Sequence, residues 1–207
     1  MWRHFDADMY AKAIMEGKKE NETDIHNMNK NALGVDGGTR DMAKTFIYAW
    51  LLGAGVAKTA SILGVGTREA TAARKRFEKN IDGLSALKRR LVPYIGEQGY
   101  FTGYDGRKVK VPSEYKVLAG LLQSGESVLM KHTLINFHAK ARAEGINFKM
   151  VGFIHDEYQI EVTGTKEEAE HMGKLVAATM ADTGEELGFR IPTPGSYEIG
   201  RNWLDTH

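Results

Sequence analysis

The sequence predicts an α+β protein in which a mostly helical half precedes a half that mixes strands with helices. Up to about Gly99, apolar residues recur at helical spacing between clusters of Gly and Asn. After residue 100, short strand-like segments flank turn sequences. With 207 residues, 42% of them hydrophobic, the chain is long enough to bury a sizeable core. We therefore divide it into residues 1–100 and 101–207.

The first half is predicted to contain six helices separated by polar or Gly-containing loops. In order, they are Asp6–Glu16, Asp24–Ala32, Thr39–Leu52, Val56–Leu63, Thr67–Asn80 and Ser85–Glu97. The third follows the glycine-rich run Gly34–Gly38. Thr39 can cap its first turn, and Asp41 in that turn suits the helix dipole. Gly53 and Gly55 are expected to end this helix.

The second half is predicted to contain two hairpins, two long helices and a terminal strand. Asp105-Gly106 is a hairpin turn signal between Tyr100–Tyr104 and Lys108–Val111. A second hairpin joins Phe148–Ile154 to Tyr158–Val162 through a turn that contains neither Gly nor Pro. The remaining elements are helices at Lys116–Ala143 and Lys166–Leu187 and a strand, bent at its prolines, at Phe189–Ile199.

Composition excludes several classes of protein. Lys and Arg number 28 against 27 Asp and Glu, so contacts with nucleic acid would depend on local placement of charge. The absence of cysteine excludes a disulfide scaffold, a cysteine-ligated zinc site and a thiol nucleophile. The longest apolar stretch is too short to span a bilayer, and the first residues form no signal core. We expect a soluble, intracellular protein with no membrane contact.

The helix at Thr39–Leu52 carries a candidate phosphate-binding stripe. Arg40, Lys44 and Tyr48 lie within roughly 80° of one another on a helical wheel. The stripe is about 12 Å long, since the rise is about 1.5 Å per residue. Two cations followed by an aromatic ring suit a polyphosphate with a sugar or base at its end. The alternative is a solvated basic edge on an amphipathic helix.

A second candidate site is the acidic turn His155-Asp156-Glu157. Adjacent carboxylates suit Mg²⁺, which takes one or two carboxylates together with substrate phosphates. In nucleotidyl transfer, two such ions activate the attacking oxygen and stabilise the leaving one. The alternative is a polar turn whose side chains only satisfy the backbone. A Ser/His/Asp site is disfavoured because the sequence has no nucleophile-elbow motif.

Taken together, these motifs resemble those of family A (DNA polymerase I-type) DNA polymerases, most of all the phage replicative members. Thr39–Tyr48, followed by Leu52-Gly53, resembles the family's nucleotide-binding helix. His155-Asp156-Glu157 resembles its carboxy-terminal catalytic motif. Further landmarks occur in family order: Asp24-Ile25-His26, Asp105-Gly106-Arg107-Lys108-Val109, Leu121-Leu122-Gln123-Ser124, Asn202-Trp203 and His207.

The resemblance implies that residues 1–100 form the fingers, with the nucleotide-binding helix at 39–53. Residues 101–207 would be the carboxy-terminal part of an antiparallel palm sheet with packed helices, within an incomplete right-hand polymerase fold. Lys44 and Arg40 would hold the triphosphate of the incoming nucleotide, and His26 would assist. Tyr48 would lie near the sugar and base, and in this family a Tyr there goes with acceptance of dideoxynucleotides.

The resemblance also implies roles in the second half. Asp156 would be a ligand for the two catalytic Mg²⁺ ions, with Glu157 as an accessory carboxylate. Lys44 would join these two as a catalytic residue. Gln123 and His155 would contact DNA near the primer terminus or in the minor groove.

One part of the family pattern is not found. The other metal-binding Asp belongs to motif A, of the form Asp-x-x-x-x-Glu-Leu-Arg, which precedes the fingers. Asp6 and Asp8 lie on a predicted helix, and we do not take them as replacements. We expect the carboxy-terminal subunit of a DNA polymerase that adds dNTPs to a primer on template DNA, in the cytoplasm of a bacterial host if phage-encoded. A partner chain would supply motif A with its metal ligand, the thumb and any exonuclease.

Two other classes stay open from sequence. The chain could be a catalytically inactive nucleotide- or DNA-binding remnant of such a polymerase, or a structural protein with an incidental resemblance. Leu52, Ala119 and Tyr115 depart from residues that are usual in the family, which affects fidelity and minor-groove contacts. The basic runs Arg74–Arg76 and Lys88–Arg90 fit either contacts with template phosphates or solvated helix faces.

Overall fold

The structure is a computed structural model that describes residues 8–81, 83–91 and 99–206. The chain divides into two compact units, Met1–Thr102 with Lys108–Leu122 and Gly103–Arg107 with Gln123–His207. The described residues are mostly helical and contain two separate two-stranded antiparallel sheets. This arrangement confirms the predicted α+β class. No helix in the described part of the chain is long and apolar enough to cross a membrane.

The described helices of the first unit follow the prediction to within about two residues wherever their ends are described. They are α1 (Asp8–Met15), α2 (Ile25–Leu33), α3 (Arg40–Leu51), α4 (Val56–Leu63), α5 (Thr67–Asn80) and α6 (Leu84–Leu91). Thr39 caps α3 as predicted, because its Oγ1 accepts the Met42 N–H at 3.2 Å. The predicted start of α1 at Asp6 and the predicted continuation of α6 to Glu97 lie outside the described residues.

The core of the first unit forms where α3 packs on α5. The Phe46 and Trp50 rings of α3 meet the Phe77 ring edge-on, with centroids at 5.1 and 5.4 Å. All three side chains are buried, and burying an aromatic ring of this size contributes about 1.5–3 kcal/mol. Because this face of α3 is covered, Lys44 and Tyr48 on its other side remain exposed.

Two arginines of the first basic run hold the first unit together. Arg74 Nη1 donates to the Ala54 carbonyl at 2.5 Å, in the loop after α3. Arg76 Nε donates to the last carbonyl of α2 at 2.9 Å. Neither arginine is therefore the freely solvated cation that the sequence left possible, whereas Lys75 between them is exposed. In the run 88–90, only the central side chain is described, and it is exposed.

A short hairpin extends the first unit beyond the predicted boundary at residue 100. Strands β1 (Tyr100–Thr102) and β2 (Lys108–Lys110) pair antiparallel around Asp105-Gly106, as predicted. A long helix, α7 (Val117–Ala143), follows. The first turns of α7 belong to this unit because they share a buried apolar cluster with the hairpin. Its buried members are Phe101, Val111, Val117 and Leu121.

The second unit is built on a hairpin and two helices. Strands β3 (Phe148–Ile154) and β4 (Glu157–Val162) pair antiparallel, with an irregularity between Met150 and Gly152, and α8 (Lys166–Glu186) follows. A capping box at Thr165 and Glu168 begins α8. The core of this unit joins α7, α8 and the hairpin. Its fully buried members are Phe137, Ala141 and Met172.

The predicted strand at Phe189–Ile199 is wrong, because this segment forms no ladder with any described strand. Pro192 and Pro194 lack the N–H groups that a ladder needs. Residues 189–199, here called the terminal strap, pack against α8 instead. Thr193 Oγ1 donates to a carbonyl of α8 at 3.0 Å, and the ring of Tyr197 lies directly over Gly173.

The contact between Gly173 and Tyr197 gives a test of this packing. In an open helix interior, Gly→Ala stabilises by about 0.5–1 kcal/mol. A Cβ at Gly173 would lie 2.4 Å from the Tyr197 ring, so we expect Gly173→Ala to destabilise the chain by about 1–3 kcal/mol. Thermal unfolding would measure the change.

The matched control is the same substitution in a Tyr197→Ala background. There the ring is gone, so Ala at position 173 should stabilise relative to Gly. Stabilisation in both backgrounds would contradict the packing of the strap on α8.

Candidate functional site

The side chains predicted to be functional fall into two groups, which are described separately. The first unit contains His26, Arg40, Lys44 and Tyr48. The second unit contains Gln123, His155, Asp156 and Glu157.

The first group lies on a surface that α2 and α3 share. His26 is in the first turn of α2, and its ring centroid is 6.4 Å from that of Tyr48. Tyr48 is 56% exposed, and Lys44 is also exposed. No carboxylate of the described residues lies within ion-pair distance of Lys44. The structure therefore brings onto one accessible face an aromatic ring, an imidazole and a cation that no described carboxylate compensates.

The surroundings of His26 favour the uncharged form of its imidazole. Burial lowers the pKa of His26 below its usual value of 6.5, and the positive charges of Arg40 and Lys44 lower it further. Its Nδ1 is buried, and no described residue is a hydrogen-bond partner for it. The lowered pKa favours the neutral ring, which can donate a hydrogen bond to a ligand without adding a third positive charge.

Arg40 is held by an ion pair that the sequence did not predict. Its Nε and Nη2 donate to Asp24 Oδ2 at 2.9 and 2.5 Å. Asp24 is the N-cap of α2, and its Oδ1 accepts the backbone N–H of Asn27 at 3.2 Å. The hydrogen bond from Arg40 is the main reason that the pKa of Asp24 falls from 3.8 to about 2. The Arg40 guanidinium at this surface is therefore held in place by the Asp24 carboxylate.

The missed residue at this site is Asp24. The sequence predicts it as the first residue of a helix and of a family landmark, but with no role at the site. Its position immediately before the helical pattern is an N-cap signal, but nothing local to it predicts the second contact, with Arg40.

In the second group, the hairpin turn consists of two residues, His155 and Asp156. Ile154 pairs with Glu157, so Glu157 begins β4 and does not lie in the turn where we had predicted it. His155 adopts φ 52°, in the left-handed region that costs a non-glycine residue about 1 kcal/mol. This strained turn puts the Asp156 carboxylate at an exposed hairpin tip.

A groove in the second unit brings Gln123 and His155 together. It has a volume of about 490 Å³ and is lined by α7 and the end of β3. The α7 residues in its wall are Gln123, Glu126 and Ser127, and the hairpin contributes Phe153 and His155. The Gln123 amide and the His155 imidazole, beside the Phe153 ring, can contact the edges and faces of bases.

The donor set at the turn fits part of a magnesium site. Asp156 is exposed, and the neighbouring Glu157 accepts a hydrogen bond from the Gln159 side chain. Two adjacent carboxylates match Mg²⁺, which takes one or two of them and completes its shell with water or phosphate oxygens. Within residues 8–81, 83–91 and 99–206, no group of three or more His, Asp or Glu could hold a metal. The turn therefore supplies at most two ligands.

The structure also shows the surroundings of the residues that depart from the family pattern. Leu52 is 50% exposed and its carbonyl accepts Lys116 Nζ at 2.8 Å. Gly53 has φ 84°, and an added Cβ would lie 2.8 Å from the Tyr115 carbonyl oxygen, so only glycine fits there. Ala119 is buried on α7 and belongs to the packed interior.

Comparison with known proteins identifies the family. The profile of DNA polymerase family A matches residues 7–205. The chain belongs to this family. Family A polymerases generally use divalent metal ions.

Two phage relatives match nearly the whole of this family A chain. The DNA-directed DNA polymerase of Escherichia phage Phieco32 is 32% identical over 97% of the chain, and that of Enterobacteria phage T3 is 31% identical over 98%. The chain spans 32% and 30% of the lengths of these relatives, about a third.

A solved structure agrees with the fold. The POL domain of Pol1 from M. smegmatis, in complex with DNA primer-template and dNTP, aligns with a TM-score of 0.70 at 20% identity. The alignment covers 86% of this chain and 33% of that one. The likeness confirms part of a polymerase fold in this family A chain.

The ion pair between Asp24 and Arg40 predicts a dependence of stability on pH. Asp24 stays ionised in the folded chain down to about pH 2, whereas in the unfolded chain it takes up a proton near 3.8. The unfolded state therefore binds more protons in this window, and the stabilisation by Asp24 is lost as the pH falls through it.

Asp24→Asn should lower the thermal midpoint most above about pH 4. The gap between wild type and variant should close as the pH approaches 2. Thermal unfolding at a series of pH values would measure it. A difference in thermal midpoint between wild type and Asp24→Asn that does not change with pH would contradict the stabilising ion pair of Asp24 with Arg40.

Proposed function

We propose that this chain carries the nucleotide-binding surface and the catalytic turn of a DNA-directed DNA polymerase. Such an enzyme would extend a primer 3′-hydroxyl with dNTPs on a DNA template. The observation that carries the proposal is the surface that α2 and α3 share. It places Lys44, Arg40, His26 and Tyr48 together in a chain of family A.

The nucleotide would lie along α3. Lys44 would meet the phosphates with its exposed ammonium group, and Arg40 would add directed N–H donors. His26 would donate a hydrogen bond from its ring N–H to an oxygen at the edge of the triphosphate. Tyr48, half exposed at the far end of the stripe, would pack against the sugar or base.

The turn of the second unit would hold Mg²⁺. Asp156 would be the principal protein ligand and Glu157 the accessory carboxylate. The two ions of a polymerase, when bound, lower the barrier for attack by the primer hydroxyl and for departure of pyrophosphate. Because Asp156 and Glu157 are the two carboxylates that the described hairpin supplies, a further protein ligand would come from elsewhere in the polymerase. A separate amino-terminal chain with motif A and the thumb is the form we propose.

Primer–template DNA would meet the groove beside the turn. Gln123 and His155 line it together, and Phe153 adds an apolar surface to the same wall. Amide and imidazole groups can bond the acceptors that every base pair shows in the minor groove. The groove would therefore position the primer terminus with little dependence on base sequence.

A first prediction concerns nucleotide binding. Lys44→Ala should weaken binding of a fluorescent deoxynucleoside triphosphate at least tenfold, because a hydrogen bond to a charged group contributes about 1.5–3 kcal/mol. Fluorescence titration of the full chain with Mg²⁺ would measure this. Lys75→Ala, which removes an exposed lysine of α5, is the matched control. Equal binding by both variants would contradict the proposed nucleotide surface.

A second prediction concerns catalysis. The chain would be mixed with an amino-terminal family A fragment carrying motif A, and primer extension measured with Mg²⁺ and four dNTPs. We expect extension by the mixture and its loss with Asp156→Ala. Glu161→Ala removes a carboxylate of the same hairpin that pairs with Lys149, so it serves as the control.

Three results distinguish the alternatives. Extension by the chain alone would show that its own residues complete the metal site. Undiminished extension by Asp156→Ala would rule out the proposed ligand. Binding of nucleotide without extension, although the two fragments associate, would identify a binding remnant without catalysis.

A further inference from the structure

We propose that Asp24 is a positioning residue for nucleotide binding, which holds the Arg40 guanidinium so that its Nη1 edge faces the triphosphate. The inference rests on the proposed function, since it assigns how that surface meets phosphate. The two cations of α3 then contribute differently. Lys44 contributes net positive charge, and Arg40 contributes N–H donors of fixed orientation.

The first step is the geometry of the guanidinium group. Asp24 Oδ2 occupies Nε and Nη2, at 2.9 and 2.5 Å. Asp24 leaves Nη1 available, and Asp41 Oδ1 lies 3.7 Å from it, beyond hydrogen-bond distance. Because a guanidinium is planar and rigid, fixing one edge also fixes the direction of the other.

The second step is that a nucleotide would not displace Asp24 from Arg40. The Asp24 side chain is only 11% exposed, and its other oxygen accepts the backbone and side-chain N–H groups of Asn27. Pulling Arg40 away would leave a buried carboxylate without its cation, which is strongly unfavourable. The ion pair therefore persists when phosphate binds.

The third step concerns charge. Asp24 and Arg40 cancel, so Lys44 is the cation of the stripe that no described carboxylate compensates. Removing a carboxylate near an anion site strengthens anion binding through charge alone. Loss of the correct orientation of Arg40 weakens it. These effects have opposite signs, so one measurement separates a positioning role from a merely electrostatic one.

The chain offers a matched pair of variants. Asp24 holds Arg40, whereas Asp41 lies near the same guanidinium but is 91% exposed and does not hydrogen-bond to it. Asp24→Asn keeps a good N-cap on α2, since Asn serves there as well as Asp. Both substitutions remove one negative charge beside Arg40, and only the first releases its Nε and Nη2 edge.

The experiment is a titration of the full chain with a fluorescent deoxyadenosine triphosphate, with inorganic tripolyphosphate as competitor. We expect Asp24→Asn to weaken binding of both ligands roughly fivefold to tenfold, as expected for a misdirected charge-assisted hydrogen bond. Asp41→Asn should leave binding unchanged or tighten it at low salt. In an Arg40→Ala background, Asp24→Asn should cause no further weakening.

Arg40→Lys is a second variant that keeps the charge of the pair. It should also weaken binding, because an ammonium paired with Asp24 has no second edge to present. This variant tests the proposal even where Asp24→Asn unfolds the chain, which thermal unfolding would reveal.

Two results would overturn the inference. One is tighter binding by Asp24→Asn, in line with Asp41→Asn. The other is equal weakening by Asp24→Asn with and without Arg40, which would show a general structural effect. Lys44→Ala tests the proposed function separately from the role of Asp24. If Lys44→Ala binds the nucleotide as tightly as wild type, the proposed nucleotide surface itself is wrong.

Discussion

The packing of α3 on Phe77 is the constraint on which the rest of the first unit depends. Phe46 and Trp50 meet this ring edge-on, and their burial fixes the rotation of α3 about its own axis. Because Lys44 and Tyr48 are four residues apart, about 6 Å along one face of the helix, that rotation exposes both of them. The binding surface is therefore the reverse side of a hydrophobic contact. A substitution that shrinks Phe77 would disturb it without touching any polar residue.

Three arginines and two lysines of the first unit differ in the contacts that their side chains make. Arg40, Arg74 and Arg76 donate to a buried carboxylate or to backbone carbonyls, and so join segments that are distant in sequence. Lys44 and Lys75 stay exposed. A guanidinium can satisfy several acceptors in one plane, whereas an ammonium is a strongly hydrated point charge. In this unit, Arg40, Arg74 and Arg76 are therefore fixed by contacts within the fold, whereas Lys44 and Lys75 stay accessible.

In the second unit, strain and exposure coincide at the hairpin tip. His155 occupies left-handed backbone space that glycine would adopt freely, and this tight turn leaves Asp156 open to solvent. Tyr158, four residues after the strand end at Ile154, anchors the hairpin by donating its hydroxyl to the Met130 carbonyl of α7. Burial raises the pKa of Tyr158 to about 12, so the hydroxyl keeps its proton at any physiological pH. A hairpin that is anchored through Tyr158 and strained at His155 fits the proposal that its turn holds a metal ion.

The sequence by itself determined the described parts of the helices of the first unit, the two hairpins except for the position of Glu157, and the Thr39 cap, because period, capping and turn chemistry act over a few neighbouring residues. It also placed Lys44 and Tyr48 on an exposed face of α3. Only tertiary structure decided the partners. Asp24 lies 16 residues from Arg40, and Arg76 lies 43 from the carbonyl that it caps. The terminal strap lies on α8 because Gly173 leaves room for Tyr197, which no local pattern encodes. Such contacts depend on which surfaces the folded chain brings together, and single-residue propensities carry no information about that.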